Sequence, residues 1–302
     1  MANGRFAPSP TGDLHIGNLR TALVAWLFAR TSGSAFIVRM EDLDRVTSSV
    51  EHSVSQLNDL ETLGLDWDGE VVFQSNRFDR YFAAIDQLSA EDLTYSCFCS
   101  RREIAEAATA PHVHLPDGAY PGTCRDLTET QRADRLAERG KAALRLRAED
   151  TQIRFEDLIC GPIVARVDDF VLRRADGVPA YNLAVVVDDA AQRVEEVVRA
   201  DDLLLSTPRQ IHLANLLKLP IPSYVHIPLV VSTAGVRLAK RDGAVTLRER
   251  LAMGDTPREV LSMLAHSLGM AEEGETIEPD DLLYRFDPDA LPKDPWVFDP
   301  QG

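Results

Sequence analysis

Residues Arg5 to Asn18 read R-F-A-P-S-P-T-G-D-L-H-I-G-N. Arg5 to Ala7 suits a short strand, and Pro8, Pro10 and Gly12 make a loop. The chain then turns apolar at helical spacing, so that Leu19, Leu23, Trp26 and Leu27 are predicted to bury one face of a helix that Gly33 ends. A strand that passes through a Pro/Gly loop into a helix aims backbone N–H groups and the positive helix end at one place, where phosphate oxygens can sit. His15 is expected in the first turn, with Gly17 just behind. An imidazole can donate to a phosphate oxygen, and a glycine lets a base or ribose lie close to the backbone. A capped helix with a structural histidine would give the same local pattern, so this stretch alone does not decide function.

Outward from it the pattern repeats. Phe36 to Met40 reads as a strand, Val50 to Leu63 as a helix closed by Gly64, Val71 to Phe73 as a strand, and Arg77 to Leu88 as a helix. Strands alternating with helices imply a parallel sheet with crossovers, so an α/β, Rossmann-like, doubly wound fold is expected. Residues 95–150 break the alternation and read as an insertion between the two catalytic halves, 1–94 and 151–235. Residues 236–302 follow as a basic loop with a short helical C-terminal region. In the second half, Phe170 to Val187 suggests a hairpin turned at Asp176 and Gly177. Leu203 to Leu217 reads as helix, Val225 to Val231 as strand, and Pro257 to Leu268 as an amphipathic helix. No internal repeat is visible.

The 302 residues are 45% hydrophobic and 26% charged, as in an ordinary globular protein, but the formal net charge is -16. Backbone phosphates repel an acidic surface, so any nucleic-acid contact must be local. Candidate basic clusters are Arg101, Arg102 and Arg125, then Arg173 and Arg174, then Lys240, Arg241, Arg248 and Arg250. No stretch approaches the ~20 apolar residues needed to span a bilayer. No membrane partner is therefore expected, and cytoplasm and a monomer are the default expectations.

Two more segments carry chemistry. Val236 to Ala244 reads V-R-L-A-K-R-D-G-A, and a lysine on such a basic loop can clamp the charge that develops as pyrophosphate leaves. Cys97-x-Cys99, followed by Tyr120 and Cys124, offers three thiols and a phenol to a tetrahedral zinc ion. Buried free cysteines are the alternative. His112 and His114 compete with Tyr120 for the fourth position, and Cys160 is expected in the core.

Together, H-I-G-N at His15 to Asn18 and R-L-A-K-R at Arg237 to Arg241 resemble the H-I-G-H and K-M-S-K-S signatures of class I aminoacyl-tRNA synthetases. Asn18 stands where a second histidine would, Arg237 replaces the first lysine, Ala239 removes a hydroxyl, and Lys240 keeps the fourth position. Within that class the glutamyl branch is similar in R-F-A-P-S-P-T-G at Arg5 to Gly12, R-M-E-D-L-D at Arg39 to Asp44, and L-L-x-S-T-P-R-Q at Leu203 to Gln210. The likeness runs over roughly residues 3 to 250.

Glutamate needs two cationic partners and one anionic one, which Arg5, Arg199 and Glu41 can supply. The resemblance implies that Arg5 meets the side-chain carboxylate, Ser9 and Glu41 hold the amino group, and Tyr181 and Arg199 complete the pocket. It also implies ATP with Mg2+ at His15, Gly17, Asn18 and Lys240, with His15 and Lys240 catalytic, and a structural zinc in the insertion. His15 and Lys240 must then converge on one triphosphate.

Full-length glutamyl enzymes carry a helical anticodon-binding region after the lysine loop, whereas this sequence runs only about sixty residues past Lys240. That architecture is similar to the short glutamyl-queuosine tRNA(Asp) synthetases, without an anticodon-binding domain. They imply tRNA-independent activation of L-glutamate and transfer to queuosine at the wobble position of tRNA(Asp). The alternatives are a truncated enzyme charging the terminal ribose of tRNA(Glu), another nucleotidyltransferase on the same fold, and a non-catalytic tRNA-binding paralogue.

Overall fold

The computed structural model describes residues 3–108, 119–238 and 245–300. The first half alternates as expected: β1 (Asn3–Phe6), α1 (Ile16–Thr31), β2 (Ala35–Met40), α2 (Val50–Thr62), β3 (Val72–Phe73) and α3 (Phe78–Ala90). The insertion region holds β4 (Thr94–Cys97), α4 (Arg101–Ala108), α5 (Glu129–Arg139) and β5 (Ala143–Leu146). The chain then forms β6 (Gln152–Asp157), β7 (Gly161–Arg166), β8 (Val171–Arg173), α6 (Tyr181–Ala191), β9 (Val194–Ala200), α7 (Thr207–Leu217) and β10 (Ser223–Ile227). It ends with β11 (Val230–Val231), α8 (Leu247–Met253), α9 (Pro257–His266), α10 (Pro279–Arg285) and β12 (Trp296–Val297).

Among the described residues the main sheet has the order β3-β2-β1-β9-β10-β6-β7 and is parallel except for β7, which returns antiparallel to β6. β4, β5 and β8 make a small antiparallel sheet. This is an α/β arrangement around a mostly parallel sheet.

Three expectations need correction. First, α1 buries far more than one face. Besides Leu19, Leu23 and Leu27, it hides Arg20, Ala22, Val24, Ala25, Phe28 and Ala29, because it lies between β1 and the C-terminal α9 and α10. The fully buried Arg20 ties the layers together, donating to the Pro228 carbonyl at 3.0 Å and to Ser267 Oγ at 3.1 Å. A Cβ on Gly4 of β1 would come within 2.9 Å of Ala29 Cβ, so small residues set this strand-to-helix spacing.

Second, the turn at Gly177 is present (φ +90), with Arg174 N–H bonded to the Val178 carbonyl at 2.8 Å. Its second arm, however, contributes only a bridge at Pro179 before helix begins at Tyr181. The Leu183 to Val187 run favours strand locally, but packing against the sheet overrides that preference. Third, Cys160 is exposed at the β6–β7 turn and is not a core residue.

Candidate active site at the sheet switch point

From β1 the chain winds outward through β2 to β3, and later from β9 outward to β10. The winding direction therefore reverses between β1 and β9. Ligands of open α/β sheets bind beyond the carboxyl ends of strands at such a point. Here the sheet opens into a cavity of about 500 Å³, lined by Arg5, Ser9, His15, Glu41, Tyr181 and Arg199 among others. Six side chains proposed from sequence therefore meet in one place, although almost two hundred positions separate Arg5 from Arg199.

His15 proves to be the N-cap of α1, with extended backbone (φ -88, ψ 165), and does not lie in its first turn. Its Nδ1 accepts from the Asn18 N–H at 3.2 Å, while Asn18 Oδ1 accepts from the His15 N–H at 3.1 Å. This reciprocal cap satisfies helix N–H groups that would otherwise lack partners. It also occupies the Nδ1 lone pair, so the neutral ring carries its proton on Nε2 as a donor. A Cβ on Gly17 would sit 2.9 Å from His15 Cε1 and 3.0 Å from Nδ1. Glycine at this position thus makes room for the imidazole.

Arg5 is buried, donates from Nη1 to the Val198 carbonyl at 2.9 Å, and has Nε 3.5 Å from Asp189. Burial holds its pKa below the ordinary guanidinium value, against the pull of Asp189. Beside it, fully buried Arg39 donates to Asp189 at 2.8 Å and to Glu41 at 3.3 Å, and it also reaches Gln192 at 2.8 Å. Arg39 and Glu41, two positions apart on and just after β2, therefore form an ion pair, and Glu41 also lines the cavity. Burial pushes the Glu41 carboxyl above its usual range, although Arg39 and Arg5 act to lower it.

Across the cavity, Arg199 is positioned from several directions. Its Nη2 donates to Thr207 Oγ1 at 2.7 Å, its Nη1 to Tyr181 Oη at 3.3 Å, and its Nε to His226 Nε2 at 3.0 Å. Because His226 Nε2 accepts, its proton lies on Nδ1, which donates to Asp157 at 2.6 Å. Burial keeps His226 below the ordinary histidine range. Sequence reading missed Asp157, His226 and Asp189 as supports. Asp157 and His226 lie on strands, and no nearby motif marks them.

Lys240 and Arg241 lie outside the described residues. The described flanks are instead informative. Thr246 forms an antiparallel bridge with His15, the Val245 carbonyl accepts from Ile16 N–H at 2.7 Å, and Arg237 pairs with Asp202 at the cavity. The basic clusters are largely neutralised. Arg102 pairs with Glu106, Arg125 with Asp169, Arg174 with Asp44 and Asp176, Arg248 with Asp13, and Arg250 with Asp255.

In the insertion region the Sγ atoms of Cys97, Cys99 and Cys124 lie within 4.8 Å of one another. Tyr120 Oη is 3.4 Å from Cys97 Sγ and 3.7 Å from Cys99 Sγ, and it accepts from the Cys124 N–H at 2.8 Å. Three thiols and a phenol around one point suit a tetrahedral thiophilic cation. His112 and His114 lie outside the described residues. Among these residues no helix is long and apolar enough to cross a membrane.

A cavity at the switch point, a capped helix beside it and opposed charges along its walls are features shared by α/β enzymes that bind nucleotides. Residues 2–301 match the family described as tRNA synthetases class I (E and Q), catalytic domain. The chain belongs to that family and is a ligase. It is 58% identical over 299 residues to the glutamyl-Q tRNA(Asp) synthetase of Nocardia farcinica, covering 99% of this chain and 94% of that one. It is 39% identical to a glutamate–tRNA ligase of Oleidesulfovibrio alaskensis, covering 98% of this chain and 63% of that one. A crystal structure of a glutamate tRNA ligase from Elizabethkingia meningosepticum, in complex with its amino acid, superposes with a TM-score of 0.83 at 27% identity. It covers 99% of this chain and 67% of that one.

Proposed function

We propose that this enzyme activates L-glutamate with ATP and Mg2+, without tRNA, and passes the glutamyl group to queuosine at the wobble position of tRNA(Asp). The observation that carries this reading is the grouping of buried Arg5 and Arg199 with partly buried Glu41 in the cavity that His15 also lines. Two guanidinium forks and one carboxylate complement two carboxylates and one ammonium. Arg5 takes the side-chain carboxylate, Glu41 and Ser9 take the ammonium, and Tyr181 with Arg199 complete the pocket. The α-carboxylate attacks the α-phosphorus without a side-chain base, since it is already an anion. His15, with Gly17 and Asn18 shaping its cap, meets the phosphates, and Lys240 steadies the departing pyrophosphate. Magnesium supplies charge neutralisation on the triphosphate. In the second step a queuosine hydroxyl oxygen bonds to the glutamyl carbonyl carbon. The bond from that carbon to the AMP oxygen breaks, and the hydroxyl proton passes to AMP or water.

The test has two parts. Glutamate-dependent exchange of pyrophosphate into ATP should occur without tRNA, and labelled glutamate should reach tRNA(Asp) only when it carries queuosine. Charging of tRNA(Glu), or of tRNA(Asp) regardless of the modified base, would favour a glutamate–tRNA ligase activity instead. The high identity to a glutamyl-Q relative supports the first reading.

A pH dependence follows from Glu41. Only its anion attracts an ammonium, so the KM for glutamate should rise as pH falls through the raised Glu41 pKa. Bound ammonium favours the anion, so kcat should change less than kcat/KM. Glu41→Gln should raise the KM at neutral pH and flatten this acid limb. A KM profile that keeps its acid limb in the variant would remove Glu41 from the role.

The cysteine cluster is proposed to hold one structural zinc through Cys97, Cys99, Tyr120 and Cys124. Native mass spectrometry should find one zinc per chain, lost in Cys99→Ser. Chelation should lower the melting temperature, with increased amide exchange concentrated in β4 and β5. A zinc-free protein with unchanged stability would remove zinc from this role.

A further inference from the structure

A second cavity, of about 440 Å³, meets the first at one side chain, since Tyr181 lines both. Its walls come from three parts of the chain: Arg101 and Arg145 from the insertion, Asp168 ahead of β8, and Asn182 and Arg209 from α6 and α7. The L-L-L-S-T-P-R-Q stretch, to which the proposed glutamate and ATP contacts assign no residue, organises both cavities. Thr207 holds Arg199 in the first. In the second, Arg209 Nε donates to Asp168 Oδ1 at 2.6 Å, and buried Gln210 donates to Asn182 Oδ1 at 3.0 Å.

These contacts set the chemistry that the second cavity presents. Gln210 occupies the Asn182 carbonyl oxygen, which orients that side chain so that its NH2 is the end able to donate to a ligand. Asp168 is nearly buried, and its Oδ2 accepts from the Tyr120 N–H at 3.0 Å. Arg145 lies 3.7 Å from the Tyr120 ring centroid, forming a flat cation–aromatic wall. An amide donor, an oriented carboxylate and planar stacking surfaces suit a heteroaromatic base with acceptors on its edge and a basic substituent. They have no evident use for an amino acid or a triphosphate. Bases in single-stranded RNA loops are recognised by stacking and edge hydrogen bonds once they leave the stack.

We propose that this second cavity receives the acceptor: a nucleobase turned out of an RNA loop, read by Asn182 and Asp168, with its hydroxyl-bearing substituent directed past Tyr181 toward the activated glutamate. This inference rests on the proposed function. Arg209 and Gln210 are positioning residues, acting through Asp168 and Asn182.

Asn182→Asp keeps the side-chain volume and the acceptor for Gln210 but replaces the ligand-facing donor with an acceptor. Arg209→Lys keeps the charge but loses the guanidinium hold on Asp168. In the full chain, each variant should leave tRNA-free, glutamate-dependent pyrophosphate exchange and the melting temperature near wild type. Each should lower kcat/KM for transfer to queuosine-containing tRNA(Asp) by about tenfold or more. Normal transfer in both variants, or a parallel loss of exchange and transfer, would overturn the proposal. Failure of the underlying functional reading shows separately, as a wild-type enzyme that lacks glutamate-dependent exchange or ignores queuosine.

Discussion

Arg5→Ala is expected to lower kcat/KM for glutamate in tRNA-free pyrophosphate exchange by roughly 10²–10⁴-fold. Removing one member of a buried ion pair costs about 3–5 kcal/mol, because the remaining charge stays desolvated. Here the loss falls on both protein and substrate. Among the described residues Asp189 would keep only Arg39 as its cationic partner, and a bound side-chain carboxylate would lack the Arg5 guanidinium opposite it. Arg5→Lys separates the contributions, since it restores a charge without the planar fork and should recover only part of the loss. Thermal unfolding measured in parallel identifies the part due to Asp189. A variant with a near-normal glutamate KM would show that Arg5 is structural and would remove it from the side-chain carboxylate site.

His15→Ala should lower kcat for the same exchange by about 10²–10³-fold with little change in the KM for glutamate. Loss of one preorganised donor at a developing charge typically has this size. The substitution also deletes the N-cap of α1, at about 0.5–2 kcal/mol of stability. Asn18→Ala removes its reciprocal partner and should reproduce a stability loss of that order. It keeps the imidazole, so its rate loss should be much smaller. Equal rate losses in the two variants would assign the effect to the cap and not to the ring.

Much of the fold was legible because the first half obeys short-range rules. The apolar spacing of Ile16 to Phe28 and the positive-φ glycines at 33 and 64 mark α1 and α2 without reference to the rest of the chain. Strand β9 was not legible. Its V-E-E-V-V-R-A sequence interrupts the apolar run with two glutamates, yet β9 pairs with both β1 and β10 at the centre of the sheet. The expected long hairpin before Val187 failed for a related reason: β-branched residues favour strand locally, but this segment is buried as a helix. Cys160 read as core by residue type alone, whereas a tight turn exposes it.

The sequence by itself determined the strand–loop–helix unit at Arg5 to Asn18, the spacing of the four candidate metal ligands, and the residue types a dicarboxylic amino acid would require. Those features depend on neighbours within a few residues or on chemical identity. Only the tertiary structure decided that Arg5, Glu41, Tyr181 and Arg199 share one cavity with His15, and that Asp157 acts through His226 on Arg199. It also set Tyr181 between two cavities. Such relations arise from strand order, which brings β9 beside β1 across nearly two hundred residues. No local propensity encodes that neighbour; burial of the whole sheet does.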